Sequence, residues 1–317
     1  MSRGRASAII GLIVSLIFVA VGVIAITFVL NLGDQVPEVD PQPEGADEPA
    51  GLTAKAFSDY TWDELAQIAA LMEAASSDGA AREIAREYGL IDTEGNLTTE
   101  THQLVLDNGL TVDVRLVGML HDTAAATGER AALTFMVSPI DVRRVNPTAS
   151  SEGGWGSCEL RTWLSTEGIG LFPDELAQSI VTVRKPSNNM GKSDTVEDIT
   201  TSDDALWLFS CREVCGDITW LEDEFDYLSY GGDALLNAEG EQYEAFAREG
   251  VDQFSDSSSY LVMYYQGKAV PWWYRTPYAF EYIESDDDAF YQVTSFGYAS
   301  AVNLADDTAG VVVGFCL

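Results

Sequence analysis

A histidine beside an acidic residue is the arrangement in this sequence that comes nearest to catalytic machinery. The chain has two histidines, and one of them, His121, is followed directly by Asp122 on a loop after an apolar strand. A histidine in this setting can act as a general base or as a metal ligand. The alternative is a structural hydrogen bond, because the sequence holds no phosphate-binding loop, no nucleophile elbow and no paired metal-binding histidines. His102 begins a predicted strand and is expected to be structural.

Two of the four cysteines, Cys211 and Cys215, lie four residues apart in the segment SCREVCG. On a helix this spacing puts both thiols on one face, where a disulfide between them would need distortion. One interpretation is a reactive or metal-binding pair, and the other is a local disulfide or free buried thiols. Four cysteines are too few to stabilise a chain of this length by disulfides alone, so we expect a packed hydrophobic core.

Acidic residues cluster in several predicted loops, among them the run Asp286, Asp287 and Asp288. Carboxylates that converge from loops suit calcium, which takes about 6–8 oxygen ligands. None of the clusters has the EF-hand spacing, and solvated loops are the default in a chain with 51 acidic and 17 basic residues. We therefore predict no cofactor, with calcium at this run as the alternative.

Aromatic residues are concentrated in the second half of the chain. Trp207 and Trp272 fall on predicted strands and are expected in the core. Strand alternation puts Trp272 and Trp273 on opposite sides, so part of this aromatic set is expected to remain outside the core. Exposed rings of this kind bind sugars or partner proteins. The predicted ligand-binding surface comprises Tyr264, Tyr265, Trp273, Tyr274 and Tyr278.

The N-terminal segment predicts where the protein resides. Residues 6–33 carry no charge and follow Arg3 and Arg5. About 20 apolar helical residues cross the ~30 Å hydrocarbon core. Residues 1–32 are therefore predicted to be a cytoplasmic stub and an uncleaved transmembrane signal anchor. The two arginines keep the N-terminus in the cytoplasm, which makes this a single-pass protein of the cell membrane with its domain outside.

The remaining chain divides into a linker, a helical lead-in and a main domain. Residues 33–52 are acidic and proline-rich and are expected to be extended. Residues 53–100 form the lead-in, whose first helix begins at a capping box of Thr61 and Glu64. Residues 101–317 open with a hairpin, for which Asn108 and Gly109 predict a two-residue type I′ turn. Further strands are predicted at 131–137, 180–183, 206–209, 272–275, 290–293, 299–304 and 311–315, and a short helix at 241–248.

The net charge of −34 excludes one class of partner. Such a surface repels nucleic acid and anionic lipid, and no basic patch in the sequence offsets it. We expect no nucleic-acid partner. The partners expected are the membrane, through the N-terminal helix, and a glycan or protein ligand outside.

A series of motifs in chain order is similar to a known family. It comprises GGWGSCELRTWL, LFPDELAQSIVTVRK, DALWLFSCREVCG, EGEQYEAF, WWYRTP and GVVVGFCL. Over residues 104–317 this series resembles the bacterial domain-of-unknown-function family numbered sixty-two seventy-three. Tyr274 and Thr276 stand where that family has Leu and Ser.

That family resembles the C-type-lectin-like fold of formylglycine-generating enzymes. The resemblance implies an α+β domain with an antiparallel sheet and long loops, and it implies that Trp163, Trp207, Trp272 and Arg275 are fold determinants. Formylglycine-generating enzymes hold copper with a cysteine pair, but Cys211 and Cys215 do not align with it. The resemblance carries no established activity.

Three functions are compatible with these features. The leading hypothesis is a membrane-anchored, extracytoplasmic, non-catalytic module that binds a surface glycan, a cell-wall polymer or a protein. The second is an extracytoplasmic enzyme, either a copper oxidase of the formylglycine type or a hydrolase acting through His121 and Asp122. The third is a structural envelope protein.

Overall fold

The computed structural model describes residues 51–193, 195–219, 232–278 and 288–317. Contacts among them group Leu52–Leu317 into one unit. The predicted anchor and all but the last two residues of the predicted linker lie outside the described residues, as do Asp286 and Asp287. Within the described part of the chain, no helix is long and apolar enough to span a membrane.

The helices are short after the first two. In chain order they are α1 (Trp62–Glu73), α2 (Asp78–Glu87), α3 (Gly154–Ser157), α4 (Glu159–Trp163), α5 (Asp174–Ala177), α6 (Cys211–Cys215), α7 (Gly232–Asn237) and α8 (Glu244–Arg248). A π-helical turn, Leu164–Gly168, continues α4. The short helix predicted at 241–248 is present as α8, but it begins only at Glu244.

The strands in chain order are β1 (Thr101–Val105), β2 (Thr111–Met119), β3 (Thr123–Ala124), β4 (Leu133–Val137), β5 (Val142–Arg143), β6 (Val183–Asn188), β7 (Ile199–Asp204), β8 (Met263–Tyr265), β9 (Lys268–Val270), β10 (Trp272–Pro277), β11 (Ala289–Val293), β12 (Ala301–Leu304), β13 (Ala309–Gly310) and β14 (Val313–Cys316). The main sheet has the order β1-β2-β4-β14 and is antiparallel throughout. A second sheet has the order β12-β11-β10-β13-β5, with β10 and β13 parallel. The sheet β3-β6-β7 and the hairpin β8-β9 are also antiparallel. The predicted α+β class with antiparallel sheets is confirmed.

The helical lead-in begins as predicted. The Thr61 side chain accepts the N–H of Glu64, and the Glu64 carboxylate accepts the N–H of Thr61. This capping box satisfies two donors that the start of a helix leaves unpaired. Trp62 packs edge-on against Phe135 and Phe315 of the main sheet, so the lead-in shares its core.

The turn between β1 and β2 differs from the predicted type I′. That turn needs positive φ at both Asn108 and Gly109, and only Gly109 has it, at 84°. The Gly109 N–H donates to the Leu106 carbonyl, and the Leu106 N–H donates to the Leu110 carbonyl, each over 2.8 Å. The connection is therefore a three-residue loop that ends in a left-handed glycine. The hairpin itself is confirmed.

Two predicted strands are misplaced. The strand predicted at 180–183 begins only at Val183, as β6. β6 pairs with β7, which is mostly polar. The apolar run at 206–209 forms only an isolated bridge between Trp207 and Gly314. Its side chains are fully or almost fully buried. The apolar character of the run therefore indicates burial in the core and does not by itself indicate a strand.

The two tryptophans predicted to lie in the core are tightly packed there. Trp207 and Trp272 are both 0% exposed, as expected. The Trp207 ring lies directly against Gly314, where an added Cβ would come within 2.6 Å of a ring carbon. A side chain at Gly314 would therefore displace Trp207.

Candidate functional site

Asp122 is buried and accepts hydrogen bonds from four side chains, the weakest from the Cys316 thiol over 3.6 Å. The Lys185 ammonium donates to Oδ1 over 2.6 Å, the Thr134 hydroxyl donates to Oδ2 over 2.8 Å, and the Tyr243 hydroxyl lies within 3.0 Å of both oxygens. Burial raises the pKa of Asp122, but the charge and hydrogen bond of Lys185 and the neighbouring His121 together outweigh it and hold that pKa well below its usual range. The carboxylate is therefore ionised and fully engaged.

Lys185 connects Asp122 to a second buried carboxylate, Glu213, whose Oε1 lies 2.5 Å from the ammonium. Glu213 also receives two hydrogen bonds from the fully buried Arg275, Nη1 to Oε2 over 2.5 Å and Nη2 to Oε1 over 2.9 Å. The two cations outweigh the effect of burial and lower the pKa of Glu213. The remaining Arg275 donors go to the Ser187 hydroxyl and to the carbonyls of Leu208, Pro186 and Glu239.

Glu239 completes this buried charge network, which we define as Asp122, Lys185, Glu213, Glu239 and Arg275. Burial raises the pKa of Glu239, and Arg275 offsets that only in part. Burial favours the protonated form of this carboxyl, and its protonation would leave two carboxylates opposite two cations. Such balance is what allows charges to stay buried.

His121 lies at the edge of the network. Its ring stacks on Tyr243 with centroids 4.0 Å apart, and its Nε2 lies 3.2 Å from the Glu241 carbonyl. Its Nδ1 lies 3.6 Å from the Asp122 carboxylate and has no hydrogen-bond partner among the described residues. The predicted pair is thus adjacent, but Asp122 is held by Lys185 and Tyr243 and does not orient the imidazole by a hydrogen bond.

Cys211 and Cys215 share one face of α6 as predicted, with their sulfurs 3.9 Å apart. Both are free and buried, and so are Cys158 and Cys316, which agrees with the interpretation as free buried thiols. The contact with Cys215 and burial raise the pKa of Cys211 well above its usual value. A thiol in this state is a poor nucleophile.

Two members of the predicted aromatic surface lie in the core. Trp273 and Tyr274 are both 0% exposed, so the prediction that they contact a ligand is wrong. The Trp273 indole donates to the Arg143 carbonyl over 2.8 Å, and the Tyr274 hydroxyl lies 3.9 Å from the Cys215 sulfur. Both faces of β10 are covered, which strand alternation alone does not reveal.

The other three members are accessible to different degrees. Tyr264 on β8 is 60% exposed. Tyr265 is half-buried beside Asp141 and Arg143; burial and the Asp141 charge raise its pKa, and Arg143 opposes them. Tyr278 is half-buried with its ring 5.7 Å from that of Tyr291. The structure therefore does not gather the five predicted rings on one face.

The proposed calcium ligands have no completed site in the described residues. Asp288 pairs with Lys192 over 2.8 Å, and its two neighbours in the run lie outside those residues. No group of three or more histidine, cysteine or carboxylate side chains in the described ranges is arranged to hold a metal ion.

A surface cavity of about 320 Å³ contains a cluster that the sequence did not single out. We call it the Arg143 pocket. Its floor is apolar, formed by Leu160 and Trp163, which are 1% and 8% exposed. The rim is polar, and the pocket is lined by Arg143, Arg144, Glu159, Leu160, Trp163 and Thr308.

Backbone contacts fix the arginines over this floor. The Trp273 indole holds the Arg143 carbonyl from below, and the Leu160 N–H donates to the Val145 carbonyl over 3.0 Å, tying α4 to the chain after β5. The Arg143 guanidinium lies 4.0 Å from the centre of the Trp163 ring, and its Nε donates to Asp141 over 2.8 Å. Stacking on an indole stabilises a cation and sets its orientation.

The signal for this pocket was the dipeptide Arg143-Arg144 itself. Adjacent basic residues are rare in a chain with so few, and the other pair, Arg184 and Lys185, has its lysine in the buried charge network. These arginines were not singled out in the sequence, because the charge was considered only for the chain as a whole, which is strongly negative. Trp163 was assigned only a structural role.

Two further cavities lie elsewhere on the described surface, and both are larger than the Arg143 pocket. One, of about 420 Å³, contains Arg115 and Arg248. Arg115 lies over the Tyr260 ring and donates to its carbonyl, and Arg248 donates to the Leu97 carbonyl, so both guanidinium groups are bonded to the walls. The other, of about 530 Å³, lies beside the end of α1.

Fold and site together define an α+β domain with a buried charge network and a polar surface pocket. A family model described as Domain of unknown function (DUF6273) matches residues 126–317. This is more than half of the chain, which therefore belongs to that family. The match includes every residue of the Arg143 pocket but not His121 and Asp122. No curated protein and no solved structure matches the chain.

Proposed function

We propose that this protein is a membrane-anchored, extracytoplasmic module that binds a saccharide and has no catalytic activity. The observation that carries the proposal is the Arg143 pocket. Guanidinium, carboxylate and hydroxyl groups line the pocket above an indole and a leucine that are almost completely buried, and such polar groups can hydrogen-bond the hydroxyl groups of a saccharide. Its volume, about 320 Å³, falls at the small end of the usual range for ligand sites.

The non-catalytic part of the proposal is supported by the state of the reactive groups. Asp122 makes its hydrogen bonds to Lys185, Thr134 and Tyr243, which leaves it unavailable as an acid or base for substrate. The two thiols of α6 are sealed in the core, and the pKa of Cys211 is raised well above its usual value. A hydrolase acting through His121 would need an orienting carboxylate and an accessible nucleophile beside it.

The setting of the module is proposed from the sequence. The uncharged run 6–33 supports a single transmembrane helix with the domain outside, and the acidic linker would hold the domain away from the bilayer. The mixed fold with short strands and many connecting loops is compatible with a C-type-lectin-like domain of bacterial origin. Tyr264 and Tyr265 supply aromatic surface on the hairpin next to Arg143.

The test is saccharide binding by the full-length chain with the pocket open or filled. Thr308→Trp puts a large ring on the exposed rim, and Thr201→Trp makes the same change at an exposed position of β7 outside the pocket. Both variants are first checked for an unchanged melting temperature. A panel of neutral and charged oligosaccharides, including cell-wall fragments, is then titrated.

We expect at least one saccharide to bind the wild type and the Thr201→Trp control equally, and to lose most of its affinity for Thr308→Trp. Binding of a protein but of no saccharide would overturn the proposal. Saccharide binding that Thr308→Trp leaves unchanged would overturn the assignment of the pocket.

A further inference from the structure

Lys185 has a buried amine in contact with two carboxylates, and saccharide binding makes no use of it. Its side chain is 1% exposed. Its Nζ lies 2.6 Å from Asp122 Oδ1 and 2.5 Å from Glu213 Oε1. Lysine is rarely buried to this degree, and where a buried ion pair alone is needed arginine is the residue of choice. Arg275 already has that role at Glu213. Unlike a guanidinium, the amine of a lysine can lose its proton and act as a nucleophile.

The surroundings of this amine exclude water. Its Nζ lies 4.7 Å from the centre of the Trp207 ring and 5.4 Å from that of Tyr243, and both rings are 0% exposed. In such a site an ammonium and a carboxylate lose the stabilisation that water gives them, which brings the neutral amine and acid closer in energy. Transfer of one proton along the 2.6 Å hydrogen bond from Lys185 to Asp122 converts the charged pair into the neutral pair.

The two carboxylates beside the amine are not equivalent. Glu213 keeps its charge because both of its oxygens accept hydrogen bonds from a guanidinium. The charge of Asp122 is balanced by Lys185 itself, and Asp122 also accepts hydrogen bonds from the neutral hydroxyls of Thr134 and Tyr243. Once Lys185 has given up its proton, Asp122 is an acid whose carbonyl is polarised by two hydroxyls, and Glu213 is a base in contact with the amine.

We infer that Lys185 and Asp122 condense in the folded protein to form an amide bond, with Glu213 as the proton acceptor. Lys185 Nζ attacks Asp122 Cγ, and a carbon–nitrogen bond forms. Glu213 takes a proton from the attacking nitrogen and returns it to the departing oxygen. The carbon–oxygen bond breaks, and one water molecule leaves. One ammonium and one carboxylate disappear together, so the reaction needs no oxidant and leaves the net charge of the interior unchanged.

The hydrogen bonds already in place suit the product as well as the reaction. The hydroxyls of Thr134 and Tyr243 are placed to donate to the amide oxygen, and the amide N–H faces Glu213, so both buried polar groups are satisfied. The water is released beside His121, whose side chain is 18% exposed. The Nδ1 of that ring lies 3.6 Å from the carboxylate and has no hydrogen-bond partner among the described residues.

The bond would tie together two parts of the domain. Asp122 lies just before β3 and Lys185 lies on β6, 63 residues further along the chain. The four cysteines are free, so no disulfide closes this loop. A covalent link across a loop of this length restricts the unfolded chain and thereby stabilises the folded one.

The experiment is mass spectrometry of tryptic peptides from the folded, full-length chain. Asp122 lies in peptide 116–130 and Lys185 in peptide 185–192. Trypsin does not cleave between Lys185 and Pro186, so the second peptide is the same whether or not the amine has reacted. We expect the two peptides to appear as one species whose mass is their sum less one water. Recovery of the two peptides only in separate form would overturn the inference.

Lys55 and Glu64 are the matched internal control in the same digest. Their Nζ and Oε2 atoms also lie 2.6 Å apart, but the two side chains are 28% and 26% exposed. Because water solvates the charges of an exposed pair, we expect it to remain an ion pair and trypsin to cleave after Lys55. Condensation at both pairs would show that proximity alone suffices and would overturn the role assigned to the buried site.

Glu213→Gln tests the proton acceptor, with Glu239→Gln as its control. Glu239 is buried in the same charge network, but its contacts are with Asn188 and Thr276. At a temperature where both variants are folded, we expect Glu239→Gln to form the link as the wild type does, and Glu213→Gln to form it at least about a hundredfold more slowly. Equal rates in the two folded variants would overturn the role of Glu213.

The digest also identifies which carboxyl reacts. Glu213 lies in peptide 213–248, so a link between this peptide and peptide 185–192 would place the bond on Glu213 and overturn the assignment to Asp122. The wild-type digest decides the inference even if Glu213→Gln fails to fold. None of these measurements depends on saccharide binding.

Discussion

The two buried glutamates of the charge network should respond in opposite ways to the same substitution. Glu213 and Glu239 are each 1% exposed. Glu213 has a lowered pKa because Arg275 and Lys185 outweigh the effect of burial, whereas burial prevails at Glu239 and raises its pKa. Replacing either by glutamine keeps the shape of the side chain and removes the possibility of a negative charge.

At Glu213 the loss should be large. Its carboxylate accepts hydrogen bonds from both terminal nitrogens of Arg275 and from the Ser210 N–H, and it forms an ion pair with Lys185. Glutamine would turn an amide donor towards these cations and leave them opposite Asp122 alone. Removing one partner of a buried ion pair costs about 3–5 kcal/mol. In a chain of this size that lowers the melting temperature by roughly 6–15 °C.

At Glu239 the loss should be small. The Asn188 N–H donates to Oε1 over 2.8 Å, and the Thr276 hydroxyl contacts Oε2. A glutamine keeps a carbonyl for the Asn188 N–H and carries no charge, which suits a position where burial favours the protonated acid. We expect the stability of Glu239→Gln at pH 7 to lie within about 1 kcal/mol of the wild type.

The pH dependence has opposite signs at the two positions. The stabilisation from Glu213 is complete above the unfolded glutamate pKa of about 4.3 and is lost as the pH falls through its lower folded value. The cost of Glu213→Gln should therefore shrink in acid. Glu239 binds its proton more tightly when folded, so the wild type loses stability as the pH rises above about 4.3. Glu239→Gln should gain relative to the wild type over that interval.

The assay is urea unfolding between about pH 2 and pH 8, followed by the fluorescence of the buried tryptophans. Equal costs for the two substitutions at pH 7 would refute the charge balance assigned to the network. So would a larger cost at Glu239, because that carboxylate would then be ionised and held by Arg275.

Two further predictions concern the thiols and the topology. Replacing Cys211 and Cys215 together by serine should leave saccharide binding unchanged. It should lower the free energy of unfolding by about 1–3 kcal/mol, because two buried groups change in polarity. Stoichiometric copper binding that disappears in this double variant would instead favour an oxidase. Protease added to intact cells should digest residues 51–317, and digestion only after permeabilisation would place the domain in the cytoplasm.

Features with a local physical cause could be predicted from the sequence. The capping box of Thr61 and Glu64, the hairpin around Gly109 and the apolar strand beginning at Trp272 each depend on a few adjacent residues. The 206–209 run shows the limit of this reasoning. An apolar segment predicts burial, and whether it also pairs as a strand depends on neighbours that are distant in sequence.

The charge network could not be predicted, because its members are separated along the chain. Asp122 and Lys185 are brought together by the pairing of β3 with β6, and Glu213 is placed by the capping box that begins α6 at Ser210. Asp122 was singled out in the sequence because it follows His121. In the structure, however, its carboxylate is bonded to Lys185. The error at Trp273 and Tyr274 has a similar origin, since alternation identifies an exposed face only where one side of a sheet meets solvent.

Basic residues are scarce in this chain. Those that are buried stabilise the fold, whereas those at the surface are accessible to a ligand. Lys185 and Arg275 lie in the interior, where each is almost completely buried and fully bonded to acidic side chains or carbonyls. Such cations specify the fold and are closed to a ligand. Arg143 and Arg144 lie at the surface over an apolar floor with donors still available. That difference is the physical reason to look for the ligand at this pocket.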